Sequence, residues 1–133
     1  MSKELKIVEI IDKKDNNPDN EFVRLQAISA PNTKVNLGHY AIVDNTFDGD
    51  GDKTNVFKHF YKFPNLEINR GDFVRLYSGK RPKEKQTNED GSETYMFSWD
   101  AGTCIWNNDE IDEAFLLKIF LEDRKPATPK TEK

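Results

Sequence analysis

Apolar and polar positions alternate along several short stretches of this chain. An apolar run covers residues 5–11, and a cluster of Asn, Asp and Pro residues at 12–20 closes it. In residues 21–28, Val23 and Leu25 lie between larger or more polar side chains, and residues 39–43 read in the same way. A period of two is typical of a half-buried strand, so the pattern predicts a strand in each of these stretches.

The clearest predicted strand covers residues 57–63. A strand turns successive side chains to opposite faces, and here the aromatic rings share one face while the lysines share the other. The aromatic face consists of Phe57, His59, Tyr61 and Phe63, and the opposite face carries Lys58 and Lys62. Pro64 follows and ends the predicted strand.

The second half of the chain mixes clear and ambiguous segments. Asn-Arg-Gly at 69–71 predicts a tight turn with a glycine at positive φ, followed by a strand at 72–78. Residues 80–93 are polar and are expected to form a long loop that is either mobile or functional. Alternation returns at 95–99. Residues 109–121 fit both a helix and a strand, and their pattern leaves the two open.

Taken together, these segments predict one all-β domain. Several short strands separated by turn residues are typical of a β-sandwich or barrel, and 133 residues suit a single core. No internal repeat is evident. The prolines and charges of residues 123–133 predict a flexible charged tail after a domain at residues 1–122.

The composition indicates a thin core that is rich in aromatic rings. Hydrophobic residues make up 35% of the chain and charged residues 33%, yet nine Phe, four Tyr and two Trp residues are present. Each buried ring covers a large apolar area, so a few rings can replace many aliphatic side chains. The expected core consists of Val23, Leu25, Ile42, Phe63, Val74, Leu76, Trp106, Leu117 and Ile119.

Charge and cysteine content narrow the classes of function. The formal net charge of -4 disfavours general affinity for nucleic acids, which depends on Lys and Arg neutralising phosphates. Cys104 is the single cysteine, so an internal disulfide is excluded. The first residues lack the apolar core of a secretory signal, and no apolar run reaches the length of a membrane span. We expect a cytoplasmic protein, while a surface or secreted origin stays open.

Five elements, in this order, resemble the lamin-tail domain family. They are Glu-Phe-Val-Arg-Leu at 21–25, Val-Asn-Leu-Gly at 35–38, Tyr-Lys-Phe-Pro at 61–64, Leu-Tyr-Ser-Gly at 76–79 and Trp-Asn-Asn at 106–108. The resemblance covers residues 5–122 and is closest to a bacterial-type stand-alone member. It implies an immunoglobulin-like antiparallel β-sandwich, and it favours a strand for the final apolar run.

The resemblance also implies a class of function. Lamin-tail domains are adaptors that present a surface to protein partners or nucleic acid, and they are not catalysts in their own right. A non-catalytic interaction module with a protein partner is therefore expected, and the oligomeric state is left open. A calcium-dependent surface module and a weak nucleic-acid-binding domain are the alternatives. An exposed edge strand is a further means of binding an extended peptide, although the pattern does not identify that edge.

One segment has the spacing of carboxylates found in calcium loops. Alternating carboxylates can direct several hard oxygens onto one cation. The candidate ligands are Asp44, Asp48, Asp50 and Asp52. An EF-hand is rejected because neither possible frame has the Glu that its twelfth position requires. A weaker calcium site stays open, and a solvated acidic hairpin tip without a cofactor is favoured over it.

A basic run follows the strand predicted at 72–78. It consists of Lys80, Arg81, Lys83 and Lys85. These side chains could contact phosphates, but four carboxylates in the same segment offset their charge. Contact with nucleic acid is therefore the weaker alternative for this segment.

His39, His59 and Cys104 are the remaining candidates for chemistry. No two of them have the spacing of zinc ligands, and no local signature places a base beside the thiol. His59 is expected on the aromatic face of its strand, and Cys104 is expected in the core as a small hydrophobe. No catalytic residue is predicted.

Overall fold

Short β-strands dominate the protein, as the alternating pattern predicts. The computed structural model describes residues 3–12, 17–44, 59–81, 84–102, 104–106, 113–120 and 123–127. The strands are β1 (Leu5–Ile11), β2 (Phe22–Ala27), β3 (Lys34–Asn36), β4 (Tyr40–Asp44), β5 (Phe60–Lys62), β6 (Glu67–Asn69), β7 (Phe73–Tyr77), β8 (Glu84–Thr87), β9 (Glu93–Ser98) and β10 (Ala114–Lys118). Two short 3-10 segments, Pro18–Asn20 and Leu37–His39, lie between strands. In these ranges we find no helix with the length and apolar character needed to cross a membrane.

The strands form two packed sheets and a small ribbon. The larger sheet has the order β1-β2-β7-β9-β8, the smaller sheet has the order β10-β4-β5, and β3 pairs with β6. Buried side chains from both sheets and from the ribbon form one hydrophobic cluster. The predicted all-β sandwich is therefore confirmed, and the final apolar run is a strand.

One strand pair departs from the antiparallel arrangement that the resemblance implies. β7 and β9 are parallel, with Leu76 opposite Phe97. After β7 the chain forms the outer strand β8 and then returns as β9 into the position between them. Gly79 lies in the link from β7 to β8, where its N–H donates to the Pro18 carbonyl at 2.9 Å. A Cβ on Gly79 would collide with Asp19, so this close approach requires glycine.

Most of the expected core residues are buried as predicted. The confirmed ones are Val23, Leu25, Ile42, Phe63, Val74, Leu76 and Trp106. The expectation is wrong for Leu117 and Ile119, which are only partly buried, whereas Ala114 and Leu116 pack against the core cluster. Leu116 lies opposite the buried Ile42 in the β10–β4 register. A shift of one residue exchanges the two faces of a strand, and β10 is apolar on both faces, so its local pattern does not reveal the inner one.

The polar stretch at residues 80–93, expected as a long loop, contains a strand. β8 pairs antiparallel with β9, and its four side chains are all exposed. At the turn between them, Asn88 N–H donates to the Ser92 carbonyl at 2.8 Å and Gly91 has a φ of 90°. An outer strand can form without an apolar face because its ladder satisfies the backbone donors and acceptors. A search for hydrophobic alternation therefore cannot detect it.

The predicted aromatic strand is shorter in the described residues. β5 covers Phe60–Lys62, and Phe57 and Lys58 lie outside the described part of the chain. Tyr61 packs against the core, whereas Phe60 is exposed, as the predicted alternation requires. The glycine predicted at positive φ is also confirmed, because Gly71 has a φ of 92°. The domain boundary at residue 122 stays a prediction.

Candidate functional site

The tetrapeptide Phe-Val-Arg-Leu occurs twice, at residues 22–25 and 73–76. The first copy lies in β2 and the second in β7, and these strands are antiparallel neighbours in the larger sheet. Arg24 pairs directly with Arg75 in their register. A local two-fold axis between the two arginines therefore relates the two copies.

Alternation along these strands separates the tetrapeptides into two faces. The Val and Leu residues of both copies are fully buried in the core. The Phe and Arg residues consequently lie on the outer face, where they are half-buried. We call this surface the arginine–aromatic face. Its members are Phe22, Arg24, Phe73, Arg75, Tyr77 and Arg81.

Each arginine of the central pair stacks on the phenylalanine of the other copy. Arg24 Cζ lies 4.1 Å from the centroid of the Phe73 ring, and Arg75 Cζ lies 4.9 Å from that of Phe22. Like charges directly opposite each other on neighbouring strands repel. The diagonal stacking turns the two guanidinium groups toward opposite ends of the strands and places each over the negative face of a ring. The rings thereby hold two positive charges on one surface.

Tyr77 and Arg81 extend this arrangement. The Tyr77 ring lies 5.0 Å from the Phe22 ring, and the Tyr77 hydroxyl accepts a hydrogen bond from Arg75 Nη1 at 3.3 Å. Arg81 Cζ lies 5.0 Å from the centroid of the Tyr77 ring. Three guanidinium groups are therefore supported by three aromatic rings.

Carboxylates lie at the two sides of the arginine–aromatic face. Glu9 of β1 is opposite Arg24, and its Oε1 is 3.4 Å from Arg24 Nη1. On the other side, Glu84 of β8 is opposite Met96, which is itself opposite Arg75. The Arg24 and Glu9 side chains are 30% and 43% exposed. Solvent screens an ion pair of this kind, so it leaves most of the positive charge available.

The guanidinium groups carry donors that the protein itself does not use. The Nε atoms of Arg24 and Arg75 are buried and have no hydrogen-bond partner. A buried donor without a partner costs about 1–3 kcal/mol. Stacking fixes the orientation of each guanidinium, in which Arg24 Nη1 lies 3.4 Å from Glu9 Oε1 and Arg75 Nη1 donates to the Tyr77 hydroxyl.

A buried carboxylate precedes each copy of the tetrapeptide. Glu21 Oε1 accepts hydrogen bonds from the Ser78 hydroxyl at 2.6 Å and from the N–H groups of Ile105 and Trp106 at 2.7 and 3.2 Å. Asp72 accepts two backbone N–H groups at the equivalent position before β7. These bonds anchor the first residues of β2 and β7 to neighbouring segments. They thereby support the β2–β7 register on which the arginine–aromatic face depends.

The structure describes three residues of the predicted basic run, Lys80, Arg81 and Lys85. Arg81 belongs to the arginine–aromatic face, and it is also bound to its own surroundings, because its Nε donates to the Asp19 carbonyl at 2.7 Å. Lys80 and Lys85 are exposed on the link after β7 and on β8. Lys83 lies outside the described residues. Contact of this run with nucleic acid stays a prediction.

Of the predicted calcium ligands, the structure describes Asp44. It is the last residue of β4, and its Oδ1 accepts the His59 backbone N–H at 2.8 Å. Its Oδ2 lies 2.8 Å from His59 Nδ1. Both carboxylate oxygens are thus engaged within the protein. The other candidates, Asp48, Asp50 and Asp52, lie outside the described residues.

The remaining candidates for chemistry are dispersed. His59 stands edge-on to Trp99 with ring centroids 6.0 Å apart, as a member of the aromatic face should. His39 is exposed, and its ring lies 6.3 Å from that of Phe120. Cys104 is only partly buried, so its expected place in the core is wrong. Within the described ranges, no group of three or more His, Cys, Asp or Glu residues is arranged to hold a metal ion.

Two comparisons with known proteins find no match for this chain. No protein-family model matches the chain, and a search of curated proteins finds no significant match. The function proposed below therefore rests on the chemistry of the arginine–aromatic face.

A signal for this face was present in the sequence. Two identical tetrapeptides occur at residues 22–25 and 73–76, and an acidic residue, Glu21 or Asp72, precedes each of them. The expectation of no internal repeat is wrong at this short length. Identical alternation in two strands also indicates that the strands expose the same chemistry, but their pairing is a long-range property that the repeat alone does not reveal.

Proposed function

We propose that this chain is a non-catalytic interaction module that binds a protein partner through its arginine–aromatic face. The proposed family is the lamin-tail type with an immunoglobulin-like sandwich, which the order of the five quoted segments supports. The observation that carries the proposed function is the stacking of Arg24, Arg75 and Arg81 on aromatic rings of one sheet. A cytoplasmic location belongs to the same proposal.

An acidic protein surface is the ligand that this face fits best. Carboxylates accept hydrogen bonds from guanidinium groups in a favourable, often bidentate geometry. Arg, Tyr and Phe are also enriched at the centres of protein interfaces. The stacked rings restrict the arginines before binding, so less side-chain entropy is lost when a partner arrives.

Nucleic acid is the weaker alternative for this face. Proteins bind single strands largely by stacking bases on exposed aromatic rings. Here the Phe22, Phe73 and Tyr77 rings already carry arginines, and Tyr77 is only 5% exposed.

The test uses the double variant Arg24→Gln/Arg75→Gln and a fluorescent peptide of alternating Glu and Gly residues. We expect the double variant to bind at least about tenfold more weakly than the wild type. A hydrogen bond to a charged group contributes about 1.5–3 kcal/mol, and 1.4 kcal/mol corresponds to a factor of about ten. Fluorescence anisotropy at several salt concentrations measures the affinity, which should fall as salt rises.

The matched control is Lys34→Gln/Lys62→Gln, which removes two positive charges from exposed lysines outside the face. The control should bind the peptide like the wild type. An equal loss of affinity in the control, or tighter binding of an oligothymidylate than of the peptide, would contradict the proposal. Capture from a nuclease-treated lysate by the wild type and the control, but not by the double variant, would then identify the partner.

No cofactor takes part in the proposed function. Both carboxylate oxygens of Asp44 bond to His59, so we expect the same melting temperature in millimolar calcium and in chelator. A higher melting temperature in calcium would support the calcium-dependent alternative. A screen of generic hydrolase substrates should show no turnover, and reproducible turnover would overturn the non-catalytic assignment.

A further inference from the structure

Within the described residues, the sandwich has an open side between β1 and β10. Among the described strands, β1 is at the edge of the larger sheet and β10 is at the edge of the smaller one. A groove of about 620 Å³ runs between them and is lined by residues 3–7, residues 114–118 and Tyr40. The proposed function uses the outer face of the larger sheet and makes no use of this groove.

The backbone of β10 presents hydrogen-bonding groups to the groove. Ile119 N–H donates to the His39 carbonyl at 2.6 Å, so the backbone of Ile119 faces β4. In a strand, backbone groups of alternate residues point to the same side. Phe115 and Leu117 therefore face β4 as well. Leu116 and Lys118 direct their N–H and C=O groups away from β4, toward the groove.

β1 forms the opposite wall and is less suited to pairing. It carries a bulge between Ile7 and Glu9, which interrupts the spacing of its backbone groups. Leu5 and Ile7, before the bulge, pack against the core. β1 therefore supplies an apolar wall, while β10 supplies a regular row of backbone donors and acceptors.

The floor of the groove is apolar. Leu5 is 3% exposed, and Ile7, Ala114 and Leu116 pack against the core cluster. The edge strand β8 differs from β10, because all four side chains of β8 are exposed and two of them are charged. Charged side chains on an edge strand discourage pairing with another chain. The β10 edge lacks this protection from Ala114 to Leu117.

A contact between the two sheets lies at one end of the groove. Lys118 Nζ lies 3.2 Å from Glu4 Oε1, and the Tyr40 hydroxyl donates to Glu4 Oε2 at 3.4 Å. The hydrogen bond to Glu4 raises the pKa of Lys118, and burial raises the pKa of Tyr40, so both groups keep their protons at neutral pH. This contact joins the β1 and β10 walls of the groove near Lys118.

The charges at the rim indicate what would complement the groove. Lys3 and Lys6 are exposed on the β1 side. Glu4, the carboxylate in the same lining, is engaged by Lys118 and Tyr40. The rim therefore has an excess of positive charge above an apolar floor, which favours a ligand with acidic ends and apolar side chains between them.

We propose that this groove binds an extended segment of a partner protein, which pairs with β10 as an added strand. β10 has five residues, and a strand of about five residues is about 17 Å long at about 3.4 Å per residue. The main-chain bonds to Leu116 and Lys118 provide affinity. Apolar side chains at every second position of the segment enter the floor, and an acidic residue lies near Lys3 or Lys6.

Hydrogen exchange with a defined peptide tests the pairing. The probe has seven residues, with Val at every second position, Thr between them and Glu at both ends. In the wild-type protein, NMR-detected exchange of the Leu116 and Lys118 amides should slow by at least about tenfold when the peptide is added, because these amides gain partners. The Phe115 and Leu117 amides already bond to β4 and should change little.

A second peptide and two variants separate strand pairing from simple occupation of the groove. The same peptide with N-methyl groups on the alternate amides that would face β10 should not slow the exchange of the Leu116 and Lys118 amides. Ala114→Pro removes an outward N–H at the first residue of β10 and should weaken binding, whereas Ala114→Ser keeps the donor and should bind like the wild type. The Arg24→Gln/Arg75→Gln variant should bind this peptide normally, because the groove and the arginine–aromatic face are separate.

Two results would overturn the proposal. One is unchanged exchange at Leu116 and Lys118 in millimolar peptide. The other is equal protection by the N-methylated peptide, which would show that main-chain pairing is not involved. Neither result would bear on the arginine–aromatic face, since its test uses different variants and a different peptide.

Discussion

The two faces of the β2–β7 pair carry different chemistry from the same repeated tetrapeptide. The inner face presents Val and Leu residues that are fully buried. The outer face presents Phe and Arg residues that are half-buried and stacked on each other across the strands. Burial of one aliphatic side chain contributes about 1.5–3 kcal/mol, whereas a partly exposed cation–π contact contributes about 0.5–1 kcal/mol. The inner face therefore stabilises the fold, and the outer face can be used for recognition at a small cost in stability.

The largest expected effect is on the inner face. Leu25→Ala should lower the free energy of unfolding by about 2–5 kcal/mol, because it leaves a cavity in a core that excludes solvent completely at this position. Its two-fold counterpart, Leu76→Ala, should give a similar loss. Urea denaturation measures both. Arg24→Gln on the outer face is the control and should cost less than about 1 kcal/mol. If Leu25→Ala and Arg24→Gln lower the free energy of unfolding equally, the two faces do not differ in their contribution to stability.

The next largest effect concerns the buried carboxylate at the start of β2. Glu21→Ala should cost about 2–4 kcal/mol, because it leaves the Ser78 hydroxyl and the N–H groups of Ile105 and Trp106 without their acceptor. Glu21→Gln retains a carbonyl oxygen for these donors and should cost much less. Thermal denaturation of both variants distinguishes the hydrogen bonds from the charge. If Gln destabilises as much as Ala, the charge of Glu21 is the essential property.

A smaller effect is expected from the stacking on the outer face. A double-mutant cycle with Arg75→Gln and Phe22→Leu should give a coupling energy of about 0.5–1 kcal/mol, since Arg75 lies over the Phe22 ring. The corresponding cycle with Arg24→Gln and Phe22→Leu is the control, because Arg24 stacks on Phe73 instead. Its coupling energy should be near zero. Equal coupling in the two cycles would refute the diagonal arrangement.

Glu9→Gln tests whether a change on the arginine–aromatic face affects peptide binding more than it affects the free energy of unfolding. Its ion pair with Arg24 is partly exposed, so the free energy of unfolding should change by only a few tenths of a kcal/mol, about the usual value for such pairs. Removal of the carboxylate should nevertheless strengthen binding of the Glu-Gly peptide, because Arg24 loses a competing partner. Denaturation and anisotropy measure the two effects. Weaker peptide binding would contradict the assigned ligand.

The smallest effect at neutral pH is that of Tyr61→Phe, which becomes visible only in alkali. Burial raises the pKa of Tyr61 above its ordinary value of 10.0, so the folded protein holds the phenol proton more tightly than the unfolded chain does. The raised pKa of Tyr61 therefore contributes to the free energy of unfolding. This contribution is complete below pH 10 and is lost as the pH rises through the raised pKa. Thermal melts above pH 10 should fall more steeply for the wild type than for Tyr61→Phe. Identical slopes would show that Tyr61 does not contribute.

The sequence predicts the two strands that carry most of the arginine–aromatic face, but it predicts them as separate segments. The strand at 21–28 and the strand at 72–78 were both predicted, and their alternation placed Val and Leu opposite Phe and Arg. Arg81 was recognised as a basic residue near the end of the second strand. Their association into one surface depends on the β2–β7 register, which joins residues about fifty positions apart in the chain.

Local alternation was enough to determine the strands with one apolar face and the turn at Gly71, because period two and positive φ are properties of a few neighbouring residues. Tertiary structure alone decided the pairing of the two tetrapeptides, the parallel insertion of β9 beside β7 and the inward turn of Leu116 in place of Leu117. It also placed β1 and β10 on either side of one groove. The physical reason is that partner choice and register depend on which distant side chains fill the common core. β8 and β10 show this most directly, since one has no apolar face and the other has two.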